Sequence, residues 1–127
     1  MRLALMLLAT LAATNAVAHT QSPGKVEPSG YTFKEVNPVN FTIVNRNKYV
    51  VSYDVVVGDW DAEAKKSINE KTLGTIESLK YNESIKFDVD IRVAPNSTRN
   101  ATVCTVMNDP DAAYRSKVCS LVVLKRR

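Results

Sequence analysis

Ile85-Lys86-Phe87-Asp88-Val89-Asp90-Ile91-Arg92-Val93 is the stretch that decides the fold. Ile85, Phe87, Val89, Ile91 and Val93 fall on one side of an extended chain, and Lys86, Asp88, Asp90 and Arg92 fall on the other. Successive side chains of a strand point to opposite faces, so this alternation marks an antiparallel sheet with one dry and one wet face. The same period of two recurs upstream and downstream, and sustained helical spacing is nearly absent.

Working outward, Val39 to Ile43 and Tyr49 to Val57 read as two strands joined by the polar turn Asn45-Arg46-Asn47-Lys48, which predicts a hairpin. Thr102 to Met107 and Lys117 to Leu124 read as a further pair near the end of the chain. Weaker strand signals lie at Lys25 to Glu27, Tyr31 to Phe33 and Thr72 to Ile76, which brings the expected number to about seven. Asp61 to Ile68 is the only stretch suited to a helix, and it carries too few apolar positions to form a core helix.

The N-terminus carries an export signal by pattern. Arg2 is a positive start, Leu3 to Ala13 an apolar run, and Ala16-Val17-Ala18 a small-residue cleavage site. The expected division is a signal peptide over 1–18, a flexible leader over 19–24 and one domain over 25–127. The apolar run is too short for a membrane span, and no other stretch approaches the roughly 20 apolar residues that one requires. The expected localisation is therefore periplasmic or secreted, with no transmembrane segment. The Ala-Val-Ala end leans towards a bacterial exporter.

Two cysteines, Cys104 and Cys119, are an even count in an exported chain, which favours a disulfide over a metal site. Opposing them across a hairpin sets Thr105 against Val118 and Val106 against Lys117, and leaves the loop Asp109-Pro110-Asp111-Ala112-Ala113-Tyr114 with good turn chemistry.

The order Pro28-Ser29-Gly30, Val39-Asn40-Phe41-Thr42-Ile43-Val44-Asn45, Tyr53-Asp54-Val55 and then Ile85 to Val93 resembles the immunoglobulin-like sandwiches of exported and envelope proteins, including bacterial periplasmic pilus chaperones and related domains. The resemblance covers most of the mature chain. It implies an all-β fold, a single immunoglobulin-like antiparallel β-sandwich of about seven strands with one disulfide. For the chaperones it further implies two such domains and a basic anchor for a client's carboxylate.

Little enzyme chemistry is available. His19 is the only histidine, and on the expected flexible leader it could not be held in a Ser-His-Asp or Cys-His set; the four glycines form no phosphate loop. Cleavage before His19 would place its amino group beside its imidazole, a pair able to chelate copper, yet a stable site needs further ligands. Asp59-Trp60-Asp61-Ala62-Glu63 and Asp109-Pro110-Asp111 have oxygen donors but not the EF-hand spacing. No catalytic residue, metal or cofactor is expected. The basic end Lys125-Arg126-Arg127 would suit nucleic acid inside a cell; outside it, a solvated tail or a contact with anionic lipid or an acidic partner is the expectation, with no nucleic acid.

The expected function is a non-enzymatic protein-interaction module of the periplasm or cell surface. The alternatives are a periplasmic chaperone or assembly factor for an exported client, and an inhibitor of an exported enzyme. Trp60 and Tyr114, in predicted loops, are candidate contacts. Val118, Leu121 and Val123 lie on a terminal strand that can offer an open edge. Tyr49 and Tyr53 share an apolar strand face and are expected in the core. Sequons at Asn40, Asn82, Asn96 and Asn100 would allow glycans in a eukaryotic source, with Asn82, Asn96 and Asn100 in loops.

Overall fold

The structure is a computed structural model that describes residues 19–127. The expected export signal over 1–18 lies outside the described residues. Eight strands and no helix occur among them: β1 (His19–Ser22), β2 (Lys25–Val26), β3 (Val36–Asn45), β4 (Val51–Asp61), β5 (Lys66–Leu79), β6 (Ser84–Arg92), β7 (Thr98–Asn108) and β8 (Lys117–Lys125). They form a three-stranded sheet in the order β1-β3-β6 and a five-stranded sheet in the order β2-β8-β7-β4-β5. No described helix is long and apolar enough to cross a membrane.

The alternation of β6 orients the smaller sheet. Val89, Ile91 and Val93 are buried while Lys86, Asp88, Asp90 and Arg92 are exposed. β3 pairs along β6 from Val36↔Arg92 to Val44↔Ser84, and places Val39, Phe41 and Ile43 on the same inner side. Opposite them, Val55, Ala101, Val103, Val122 and Leu124 complete one apolar cluster, and Val51, Tyr53, Leu79 and Met107 gather with Ile43 in a second. Burial of these side chains is the main drive to fold, at roughly 1.5–3 kcal/mol for each large one.

Four elements differ from the sequence expectation. β3 and β4 are not a hairpin, because they belong to different sheets and the 46–50 connection crosses the sandwich. The turn residues there mark a reversal, and they do not say which sheet receives the next strand. The suspected helix over 61–68 is a tight turn: Asp61 Oδ1 accepts the backbone N–H of Glu63 and Ala64, and Lys65 adopts a left-handed φ of 52°, which closes a β4–β5 hairpin. Tyr31 to Phe33 contributes a single bridge, Thr32↔Arg126.

The fourth difference is the leader. His19–Ser22 is a strand, with His19 and Gln21 buried and the register His19↔Asn45 to Ser22↔Thr42 against β3. After the cis Ser22–Pro23 bond the chain enters the other sheet, where β2 runs parallel to β8. A polar segment can be buried in this way because its side chains meet hydrogen-bonding partners inside.

The cysteines pair as expected. Cys104 and Cys119 face each other on β7 and β8 with a Cα–Cα distance of 4.0 Å and form a disulfide. Thr105↔Val118 and Val106↔Lys117 follow in the expected register. The bond lies on the outer side of the five-stranded sheet, where Glu70 of β5 accepts a 2.7 Å hydrogen bond from Lys117 Nζ and has its carboxyl held below the usual range by that contact.

Gly58 of β4 sits where β5 and β7 leave no room for a side chain. A Cβ there would lie 2.6 Å from Ile68 O, 2.8 Å from Ser67 Oγ and 3.0 Å from Thr102 Oγ1. The Gly58→Ala variant is expected to lose about 2 kcal/mol of stability, read as a lower urea midpoint with unchanged slope.

Candidate functional site

The end of the sandwich where β3 finishes is organised by one side chain. Asn45 is fully buried; its Nδ2 donates to Leu79 O (2.7 Å) and Tyr49 O (3.0 Å), and its Oδ1 accepts from the Tyr53 hydroxyl (2.8 Å) and the Asn47 N–H (2.9 Å). Its backbone N–H donates to Glu83 O, and its backbone carbonyl accepts from Asn82. One residue thus ties β3 to the β3–β4 connection (46–50), to β4, to the end of β5 and to the β5–β6 turn (80–83).

The adjoining pocket is also polar. His19 lies against the Tyr53 ring, with centroids 4.5 Å apart. Its Nε2 faces the carbonyl of Thr105 at 3.1 Å, a group that only accepts, so Nε2 carries the proton. Thr105 Oγ1 gives its own proton to Gln21 Oε1 (2.7 Å) and accepts from the same Nε2–H at 3.0 Å. Nδ1 then accepts from Ser116 Oγ at 2.6 Å. Burial pushes the imidazole below its usual 6.5, and the Thr105 carbonyl opposes that shift. Both ring nitrogens are engaged inside the protein, so the pairing of amino group and imidazole imagined for copper would cost these bonds. No group of three or more His, Cys, Asp or Glu side chains that could hold a metal occurs among the described residues.

Gln21 extends the same network, donating to Val103 O (2.8 Å) and Ser120 Oγ (2.7 Å), while Ser120 Oγ donates to Pro23 O (2.6 Å). β1 is therefore fastened to both sheets: by its ladder to β3, and by side chains to β7 and β8.

Strand registers bring three connections to this end. Asn45 lies opposite His19, Val51 opposite Leu79, and Ser52 opposite Asn108. The 46–50, 80–83 and 109–116 segments all leave the sheets here. They carry Tyr49 (52% exposed), Val50 (55%), Tyr81 (51%) and Tyr114 (75%).

The candidate residues separate accordingly. Tyr114 stands at this end. Tyr53 is core as expected, whereas Tyr49 precedes β4 and is exposed. Trp60 is in β4 and not in a loop; it lines a shallow cavity of about 190 Å³ on the outer sheet face with Thr102, Cys119 and Leu121. Trp60 and Leu121 are thus brought together, remote from Tyr114.

β8 is not an open edge beyond Ser120. Lys25 and Val26 pair with Leu121 and Val122, Leu121 N–H donates to Gly24 O, and Thr32 exchanges backbone bonds with Lys125 and Arg127. Val118 shares the inward side with buried Ser120, Val122 and Leu124, and Val123 is on the outward side with Leu121. Of the sequons, Asn82 and Asn96 sit in turns with φ of 60° and 53°, Asn40 donates to Asp88 Oδ1 on the exposed sheet face, and Asn100 lies within β7 and not in a loop.

Tyr49, Val50 and Tyr81 were not recognised from sequence as surface contacts. Tyr81 and Tyr49 adjoin the turn residues Asn82 and Lys48, and an aromatic beside turn chemistry is the signal that points to them.

No protein-family model and no curated protein matches the chain.

Two measurements probe this end. Truncation of Asn45 removes the side-chain donor to the Leu79 carbonyl and the acceptor of the Tyr53 hydroxyl proton, so Asn45→Ala is expected to cost about 3 kcal/mol and to speed amide exchange in 46–50 and 80–83. Because the folded His19 value lies below 6.5, the unfolded chain binds the extra proton first. Stability from this source is full above about pH 6.5 and is lost as pH falls from there to the folded value. The thermal midpoint should fall over this window, and His19→Gln should flatten the profile.

Proposed function

We propose that the chain is an immunoglobulin-like, non-enzymatic module that works in the periplasm or outside the cell and binds a protein partner through the 46–50, 80–83 and 109–116 connections. One observation carries the reading. Of the seven large apolar side chains exposed among the described residues, Tyr49, Val50, Tyr81 and Tyr114 belong to these three connections at one end. Aromatic side chains on adjacent loops held by a rigid sandwich supply contact area with few rotatable bonds, as in binding loops of sandwich domains.

The immunoglobulin-like assignment is supported by the topology. The first strand segment pairs antiparallel in the small sheet, and its continuation pairs parallel with the last strand in the other sheet. The Cys104–Cys119 disulfide is compatible with an oxidising compartment. An edge-strand mode has less support. β8 is covered beyond Ser120 by β2 and Thr32, and β5 at the outer edge of its sheet carries three register shifts against β4, with left-handed Asn69 and Ser78, which spoil it as a template. The inhibitor reading uses the same end, since the 109–116 connection is stapled near its base and presents the most exposed tyrosine.

Crosslinking of the tagged protein in its own host tests the proposal. A single partner at fixed ratio is expected, with at least about tenfold less captured by the Tyr49→Ser/Tyr81→Ser/Tyr114→Ser variant and no loss with Phe33→Ser. No partner, or equal capture by the triple variant, overturns it.

A further inference from the structure

The opposite end of the sandwich holds an amphipathic cavity. β1 accompanies β3 only over residues 42–45 and then leaves for the other sheet, so β3 from Val36 to Phe41 has β6 on one side and no strand on the other. The 27–35 connection passes over this opening. Beneath it is a cavity of about 460 Å³, walled by Val26, Pro28, Tyr31, Pro38, Val39 and Leu124 among others. That volume lies within the roughly 300–1,000 Å³ of small-molecule sites.

A second cleft of about 280 Å³ adjoins it, lined by Asn96, Thr98, Lys125, Arg126 and Arg127, and Tyr31 and Lys125 border both. None of the three cations has a carboxylate partner among the described residues. The two acids of the neighbouring connection are engaged elsewhere, Glu27 with Lys25 at 3.1 Å and Glu35 with Arg92 at 3.5 Å. Arg126 donates from Nη1 to Val93 O at 3.0 Å, while its Nε is buried without a partner among the described residues. The Arg127 guanidinium stands over the Tyr31 ring, 5.3 Å from its centroid, at the junction of the two spaces.

We infer that the two spaces form one site for a single-chain amphiphile with a phosphate-type head. The alkyl part lies against Val39 and Leu124, and the head rests on Lys125, Arg126 and Arg127. A phosphate monoester brings three acceptor oxygens and a charge near −2, which matches three clustered cations without a side-chain carboxylate partner among the described residues better than the two oxygens and single charge of a carboxylate. A guanidinium can meet two phosphate oxygens at once, and Arg127, whose guanidinium has no carboxylate partner among the described residues, is placed to do so. This site is independent of the aromatic end.

The test is an amide chemical-shift titration of the purified protein with n-octyl phosphate, n-octyl glucoside and inorganic phosphate in parallel. n-Octyl phosphate is expected to saturate with shifts at Tyr31, Thr98 and Leu124, and the other two to bind at least about tenfold more weakly. Lys125→Gln/Arg127→Gln should weaken n-octyl phosphate by about tenfold with an unchanged thermal midpoint. Equal binding of the glucoside reduces the site to an apolar groove, equal binding of inorganic phosphate reduces it to a surface anion patch, and no shifts with n-octyl phosphate remove it; each overturns the inference.

Discussion

The buried amide of Asn45 is the constraint on which this architecture turns. A strand that ends in one sheet must hand the chain to the other across the interior, and the peptide groups exposed by that crossing need partners where water does not reach. Asn45 supplies them with both ends of its side chain, to Leu79 O and Tyr49 O on one side and to the Tyr53 hydroxyl and Asn47 N–H on the other. With the crossing fixed, β4 starts at the right height for Val51 to meet Leu79, and the loops on either side keep a defined position. The exposed aromatics are therefore carried by segments whose bases are buried and bonded.

Around this clamp part of the interior is polar. His19, Gln21, Thr105, Ser116 and Ser120 occupy the flank where β1 lies, and apolar packing concentrates towards β3, β6, β7 and β4. Each of these polar groups has a partner with sound geometry, so the flank specifies β1 by hydrogen-bond pattern and not by hydrophobic area. The Thr105 carbonyl requires a proton on Nε2, and burial, which lowers the imidazole pKa, favours the neutral ring that accepts the Ser116 hydroxyl at Nδ1.

The sequence was legible where burial is one-sided. The alternation of 85–93 predicts both faces of β6, and the spacing of Cys104 and Cys119 fixes the register of β7 against β8. It was opaque where the physical cause is not hydrophobic alternation. β5 is an edge strand exposed on both faces for most of its length, so it has no period to read, and only its part from Thr72 to Ile76 was expected. His19–Ser22 is buried through hydrogen bonds, which leave no apolar signature. The aromatic end was half visible, because Tyr114 follows an Asp-Pro turn in a plain loop, whereas Tyr49 continues an apolar run that reads as core. The covering of β8 by β2 rests on two residues paired in parallel, too few for a pattern.

The division of the N-terminal segment between the two sheets has a consequence for the order of assembly. Gln21 bonds Ser120, 99 residues away, and His19 bonds Ser116, 97 away. A chain that emerges from its N-terminus carries β1 and β2 first and the strands that receive their side chains last. The segment must wait, unpartnered on that side, until almost the entire polypeptide is out, and contacts of such long separation are slow to form. A chain cut short before Lys117 would lack Ser120 and the rest of β8, and its interior would stay open along the flank that β1 and β8 close together.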